Sequence, residues 1–325
     1  MKNRFLLGDS YNPWHNLAVE ELLFDRIGPD ECLFYLWQNK NTVVIGRHQN
    51  AWKECRTKLL EDEDGRLARR SSGGGAVFHD LGNLNFTFIL PREKYDVHRQ
   101  LGVIRRAVAE YGIETEFTGR NDLVTSESGA KFSGNAFRFT NEKGMHHGTI
   151  MVNVDMEKLG RYLAPGKDKL KAKGIESVRS RVCNLKSQNP EITIEGLIES
   201  LKRAFIEEYG PCEEMSMEEL QGKDLNCLEE KYTSWDFRMG KALPFDVTLE
   251  TRFAWGGVTM ELSLKEGAIR HAQVYSDAMD EALIEKIAPA LFGIRYTNEA
   301  LSRAIRGLEN SQADELADWL MSHEL

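Results

Sequence analysis

The chain has 325 residues, 41% of them hydrophobic, enough to bury a large core and more than most single domains need, so two domains are expected. It has no run of about 18 apolar residues, and the opening MKNRFLLGDS turns polar early, so neither a membrane-spanning nor an exported protein is expected. Its net charge is −9, and its five cysteines (Cys32, Cys55, Cys183, Cys212, Cys227) are scattered and never spaced C-x-x-C, which argues against a disulfide framework or structural zinc and for a reducing cytoplasm.

The segment YNPWHNLAVEELLFDRIG predicts a helix, with Asn12 as cap, Pro13 in the first turn, apolar residues at helical spacing and Gly28 as the stop. CLFYLW and NTVVIG predict two strands joined by the polar turn QNKN. After the run SSGGG come a strand over NLNFTFIL, a helix over residues 98–111 closed by Gly112, and a strand over ETEFTG. KFSGNAFRFT and HHGTIMVNV predict a hairpin across the turn NEKG, followed by helix and loop. Within that loop region, residues 158–186 hold nine basic residues against Asp168 and Glu176, a pattern that points to an anionic partner or to a solvated helix face. Composition shifts near residues 233–248, and from residue 246 onward 14 acidic side chains face 7 basic ones. That tail predicts a strand, a turn, a strand and two amphipathic helices. Hairpin-linked strands with irregularly placed helices indicate an α+β fold, divided into residues 1–245 and 246–325.

Three consecutive glycines make backbone ordering costly, and the usual compensation is close approach of main chain to a ligand. The Walker pattern and G-x-G-x-x-G are both absent. SSGGG would therefore hold phosphate through consecutive N–H groups, with Arg69 or Arg70 adding charge; the alternative is a plain glycine turn. Asn121 and Asp122, in GRNDL, are hard oxygen ligands of the kind Mg²⁺ takes alongside substrate phosphates, or else an Asx turn. Lys131 opens a strand-like segment, and the small residues Ser133 and Gly134 leave room beside its ammonium group. One such cation can stabilise charge developing between a carboxylate and an α-phosphate.

The ordered segments RRSSGGGAVFHDLGN, GRNDL, KFSGNAFR, HHGTIMVNVD and KLKAKGIESVRSRVCNL resemble the lipoate–protein ligase A family, as do the opening DSYNPWHNLAVEE, the segment TVVIGRHQNAWKEC and the tail's RFAWGG. The resemblance implies a large catalytic domain with the mixed, mainly antiparallel sheet of biotin ligases and lipoyl transferases, plus a small α+β C-terminal domain. It implies ATP and Mg²⁺ as cofactors, with activation of lipoate, or octanoate, to an acyl-adenylate with release of pyrophosphate. Transfer would follow to a lysine on apo lipoyl domains of 2-oxoacid dehydrogenases or on the glycine-cleavage H protein, with no nucleic-acid or membrane partner. Carried over residue by residue, Arg70, Gly75, Ala76, Val77 and Phe78 would contact ATP, and Lys131 both nucleotide and lipoate. Ser72, His79 and Gly134 would lie along the carboxylate end. Leu17, Trp37, Val44 and His147 would wall the channel for the dithiolane tail, and residues 169–185 would form the adenylate-binding loop.

Two other readings are carried forward. An octanoyl or lipoyl transferase would use a cysteine thioester in place of ATP, with Cys183 as the candidate. A non-catalytic protein would only bind lipoate or nucleotide.

Overall fold

The computed structural model describes residues 1–118, 122–163, 182–240 and 245–323. The chain divides into two compact units. Unit 1 comprises Met1–Ile45, Ala51–Ser71 and Ala76–Arg238; unit 2 comprises Gly46–Asn50, Ser72–Gly75 and Met239–Leu325.

Unit 1 carries strands β1 (Lys2–Leu7), β2 (Glu31–Trp37), β3 (Thr42–Ile45), β4 (Arg66–Arg69), β5 (Val77–His79), β6 (Asn83–Pro91), β7 (Thr115–Thr118), β8 (Asp122–Thr125), β9 (Lys131–Phe139), β10 (Lys143–Met151) and β11 (Cys212–Glu214). Eight of them form one sheet in the order β11-β1-β2-β6-β10-β9-β8-β7. β1 runs parallel to β11 and β2, and the remaining pairs are antiparallel. The predicted hairpin is β9 and β10, in register from Gly148↔Asn135 to Gly144↔Phe139.

Helices cover both faces of this sheet, which explains why CLFYLW reads as a continuous apolar run rather than an alternation. Phe34 and Leu36 of β2, with Phe86 and Phe88 of β6, pack against Ile104 and Val108 of the helix Val97–Ala109 and against Leu201 and Phe205 of the helix Ile194–Tyr209. Leu33, Tyr35 and Trp37 of β2 face the other way, with Leu17 and Leu22 of the helix Pro13–Arg26 and Tyr232 of the helix Lys223–Thr233. The first of these helices starts as expected: Pro13 occupies the first turn and the Asn12 side chain accepts from the Trp14 N–H at 3.2 Å. Its end lies at Arg26, with Ile27 already extended.

β2 and β3 are consecutive in sequence but do not pair. β3 joins a separate three-stranded sheet, β4-β3-β5, parallel to β4 and antiparallel to β5. Strands β1, β4, β5 and β11 were not predicted; β4, β5 and β11 have only three or four residues each and lie at sheet edges, too short for alternation to show.

Unit 2 contains the antiparallel sheet of β12 (Val247–Phe253), β13 (Gly256–Lys265) and β14 (Ala268–Ser276). Three helices follow among the described residues, Glu281–Leu291, Asn298–Arg306 and Ser311–Ser322, rather than the two expected. Each is capped by an Asp, Thr or Asn side chain (Asp280, Thr297, Asn310). The third cap lies in a short link, so the last two helices merge in a simple periodicity reading. Leu249, Met260, Ile284, Ile305 and Leu316 share its core.

Candidate active site

Lys131 opens β9 beside an irregularity in the β8–β9 ladder. Asp122 pairs with Gly134 and Leu123 with Ser133, but Val124 pairs with Lys131, leaving Phe132 as an extra residue. Such a bulge re-aims the side chains around it. Side chains alternate along β8, so Asp122, Gly134 and Lys131 lie on one face, and Phe132 and Ser133, both fully buried, on the other. The geometry of the lysine agrees: a Cβ built on Gly134 would stand 2.8 Å from Lys131 Nζ. The ammonium thus lies across the bare Cα of Gly134, occupying space that was expected to stand open for a ligand beside it. Lys131 Nζ forms an ion pair with Asp122 Oδ1 at 2.6 Å.

The same face of the sheet carries a buried polar chain. Trp37 Nε1–H donates to Thr87 Oγ1 (3.0 Å), the Thr87 hydroxyl donates to Glu20 Oε1 (2.6 Å), and His147 Nδ1 meets that same oxygen at 2.8 Å. With a carboxylate as partner, His147 carries a proton on Nδ1. Leu17, Trp37 and Val44 share one apolar cluster with Ala68 and Ile89, so these three predicted channel residues and His147 are drawn together. Glu20 and Thr87 were missed. Their signal was present in the sequence: a charged residue inside the apolar helix LAVEELLF, and a polar position in the strand NLNFTFIL.

His79, at the end of β5, is fixed by its neighbours. Two backbone carbonyls, of Ser10 and Gln38, hold the Asn16 amide nitrogen, which also donates to Asn39 Oδ1 at 3.0 Å. The Asn39 amide nitrogen is thereby turned toward His79 Nδ1 at 3.2 Å. The hydrogen-bond network assigns the neutral ring its proton on Nε2, a buried donor without a partner among the described residues. Burial, then the charges of Arg70 and His147, push the His79 pKa down to about 3, so the ring is neutral at physiological pH. Its ring stands edge-on to Trp37 at 6.4 Å.

Arg70 is buried, with Nη1 3.4 Å from the Val44 carbonyl. Ala76 precedes β5, which begins at Val77, and Phe78 packs against Tyr162 at 5.5 Å. Ser72 and Gly75 fall in unit 2. There the Ser72 carbonyl accepts from Arg47 N–H at 2.9 Å and Gly74, at φ +87°, donates to the Ala278 carbonyl at 3.0 Å. A Cβ on Gly73 would stand 2.4 Å from that carbonyl oxygen, whereas one on Gly75 would meet nothing within 4 Å. Within unit 2 the protein's own main chain, at the Ala278 carbonyl, closely approaches Gly73 and Gly74.

Asn121 and most of the expected adenylate-binding loop, residues 169–181, lie outside the described residues. On the described side of that loop, Cys183 N–H donates to the Lys131 carbonyl at 2.8 Å. Burial raises the pKa of the Cys183 thiol, the reverse of what a nucleophilic thiolate requires. Among the described residues no three His, Cys, Asp or Glu side chains converge as a metal site, and Asp122 offers Mg²⁺ a single carboxylate. No helix among them is long and apolar enough to cross a membrane.

A large mixed sheet with helices on both faces is the fold of solved lipoate protein ligases. LipL1 of P. falciparum, solved in complex with lipoate, superposes with a TM-score of 0.86 at 27% identity over 99% of this chain and 100% of its own. A bipartite lipoate protein ligase from Thermoplasma acidophilum, described with its E2 lipoyl domain, gives 0.66 at 24% identity over 76% of this chain and 100% of its own. A lipoate-protein ligase A bound with ATP gives 0.61 at 23% over 74% and 99%. The chain belongs to the lipoyl protein ligase A/B family: the catalytic-domain model matches residues 12–206, and the model of the bacterial lipoate protein ligase C-terminus matches residues 242–320.

Proposed function

We propose that the chain is an ATP-dependent lipoate–protein ligase. A lipoate carboxylate oxygen attacks the α-phosphorus of ATP, the bond to the β-phosphate breaks, and pyrophosphate leaves, giving lipoyl-AMP. The amine of an acceptor lysine then attacks the acyl carbon, loses a proton and forms an amide as AMP departs. The observation that carries this reading is the Lys131 ammonium lying over Gly134 on the sheet face that also holds Trp37, Thr87, Glu20 and His147. That cation offsets the charge gathering where carboxylate and α-phosphate join. His79 Nε2–H, a buried donor without a partner among the described residues, is assigned to an oxygen of the acyl group. Leu17, Trp37 and Val44 are assigned to the apolar tail, and Arg70, Ala76, Val77 and Phe78 to the nucleotide. Lipoate as substrate is supported by the lipoate-bound LipL1.

Mg²⁺ would accompany ATP and neutralise part of its phosphate charge; the Asp122 carboxylate is engaged by the Lys131 ammonium at 2.6 Å and is not assigned to the metal. Acceptors are assigned as apo lipoyl domains of 2-oxoacid dehydrogenases and the glycine-cleavage H protein. Five free cysteines fit a reducing cytoplasm. The raised Cys183 pKa weighs against a thioester transferase. The test is incubation with ATP, Mg²⁺, lipoate and an apo lipoyl domain, followed by intact mass of the acceptor and pyrophosphate assay. Lipoylation is expected only when ATP is present. Lys131→Ala is expected to lower pyrophosphate release by about 10² to 10³, the loss of one charge-stabilising group. ATP-independent transfer, or an unaffected variant, would overturn the reading.

A further inference from the structure

We infer that Asp122 is the positioning residue for Lys131, and that the bulge at Phe132 exists to bring the two together. The inference rests on the adenylation reading above. In an unbroken β8–β9 ladder, Val124 would oppose Phe132 and Lys131 would share the face of Ser133 and Asn135. That face is the helix-covered core: Leu123 and Phe132 are buried in it with Phe86 and Phe88, and Asn135 Oδ1 is bonded there to His146 Nε2 at 2.8 Å. An ammonium on that side would be buried among phenylalanines, at high desolvation cost. The extra residue reverses the outcome and sets Lys131 on the face of Gly134 and Asp122.

On that face a long flexible side chain still needs a reason to adopt one direction. Gly134 supplies the floor, since its missing Cβ would lie 2.8 Å from Nζ and 2.9 Å from Cε. Asp122 supplies the pull. It is the register partner of Gly134, so its carboxylate projects beside the same Cα, and it meets Nζ at 2.6 Å. Both side chains are about one-third exposed, at 33% for Lys131 and 35% for Asp122, so an entering anion can reach the ammonium without dismantling the core. The pair holds the cation in place before substrate arrives, and such preorganisation acts on the rate rather than on binding.

The test is a double-mutant cycle on pyrophosphate release with Asp122→Asn, Lys131→Ala and the pair. Asp122→Asn is expected to lower kcat by about 10- to 100-fold, as for a catalytic group displaced by about 1 Å, with KM for lipoate changed less than about two-fold. In the Lys131→Ala background the same substitution is expected to add nothing, and the loss in Asp122→Asn is expected to stay constant as Mg²⁺ is raised to large excess. Multiplicative losses, an unaffected Asp122→Asn, or rescue by Mg²⁺ would each overturn the inference, the last by making Asp122 a metal ligand. A readout independent of activity is the ammonium signal of Lys131 in protein labelled with ¹⁵N-lysine, assigned by its loss in Lys131→Ala. Slow proton exchange that Asp122→Asn abolishes supports the pair even if the wild type forms no pyrophosphate, a result that would sink the ligase reading alone. Exchange as fast as that of surface lysines would sink the pair.

Discussion

Gly134 and Lys131 show how much one missing carbon can decide. At Gly134 the backbone is not in the left-handed region, so no φ demands glycine; what does is the lysine lying across it. In Gly134→Ala the obstructed atoms are the far end of a flexible side chain, which can swing aside at little cost to the fold. The thermal midpoint is therefore expected to move by no more than about 2 °C, while kcat for pyrophosphate release falls by about 10-fold or more because the ammonium is displaced. Melting and rate measured on one sample check this; a variant with wild-type kcat would remove the floor from the site. Gly134 stood in plain view three residues after Lys131 in KFSGNAF, though it was expected there to make room for a ligand. The partner of the lysine was not legible, because Asp122 is nine positions away and its nearness depends on the ladder that joins them.

Strand β6 and its neighbours explain why element periodicity misleads around a site. In NLNFTFIL the polar positions Asn83, Asn85 and Thr87 alternate with apolar ones, as in a half-exposed strand, yet all are buried. Leu84, Phe86 and Phe88 face the helix-covered core, and Thr87 faces the polar chain of Trp37, Glu20 and His147. Alternation reported two different interiors, not interior and solvent. His146, on β10, ties that strand to Asn135 of β9 and to Gln100 of the helix Val97–Ala109, at 2.8 Å each. Burial, then the charge of His147, pushes its pKa from 6.5 down to about 3. The unfolded chain therefore binds this proton more readily between those values, so the fold keeps its full stability above about pH 6.5 and loses it as pH falls toward 3. His79 acts in the same direction. Each contributes a slope of up to about 1.4 kcal/mol per pH unit in that window. Urea midpoints from pH 7.5 to 4 are expected to fall steeply in the wild type and less steeply in His146→Gln, whose stability at pH 7.5 is itself lowered. Parallel acid limbs would show that His146 does not titrate with unfolding.

At the scale of the whole molecule, unit membership departs from chain order. Ser72–Gly75 and Gly46–Asn50 belong with Met239–Leu325, and unit 2 main chain packs against the glycine run. Gly73→Ala would force its Cβ against the Ala278 carbonyl, 2.4 Å away, and main chain cannot step aside as a lysine end can. A loss of about 1–3 kcal/mol is expected, seen as a lowered thermal midpoint; an unchanged midpoint would mean that this packing is not kept in solution. The sequence by itself determined the α+β class, the cap and first turn of the helix Pro13–Arg26, the β9–β10 hairpin and the family, because each rests on local pattern or on ordered motifs. Only the tertiary structure decided that β2 and β3 part into different sheets, that Glu20 and Thr87 join Trp37 to His147, and that one extra residue at Phe132 turns Lys131 out of the core toward Asp122. Those outcomes depend on pairing register and on contacts between distant segments, which no local pattern encodes.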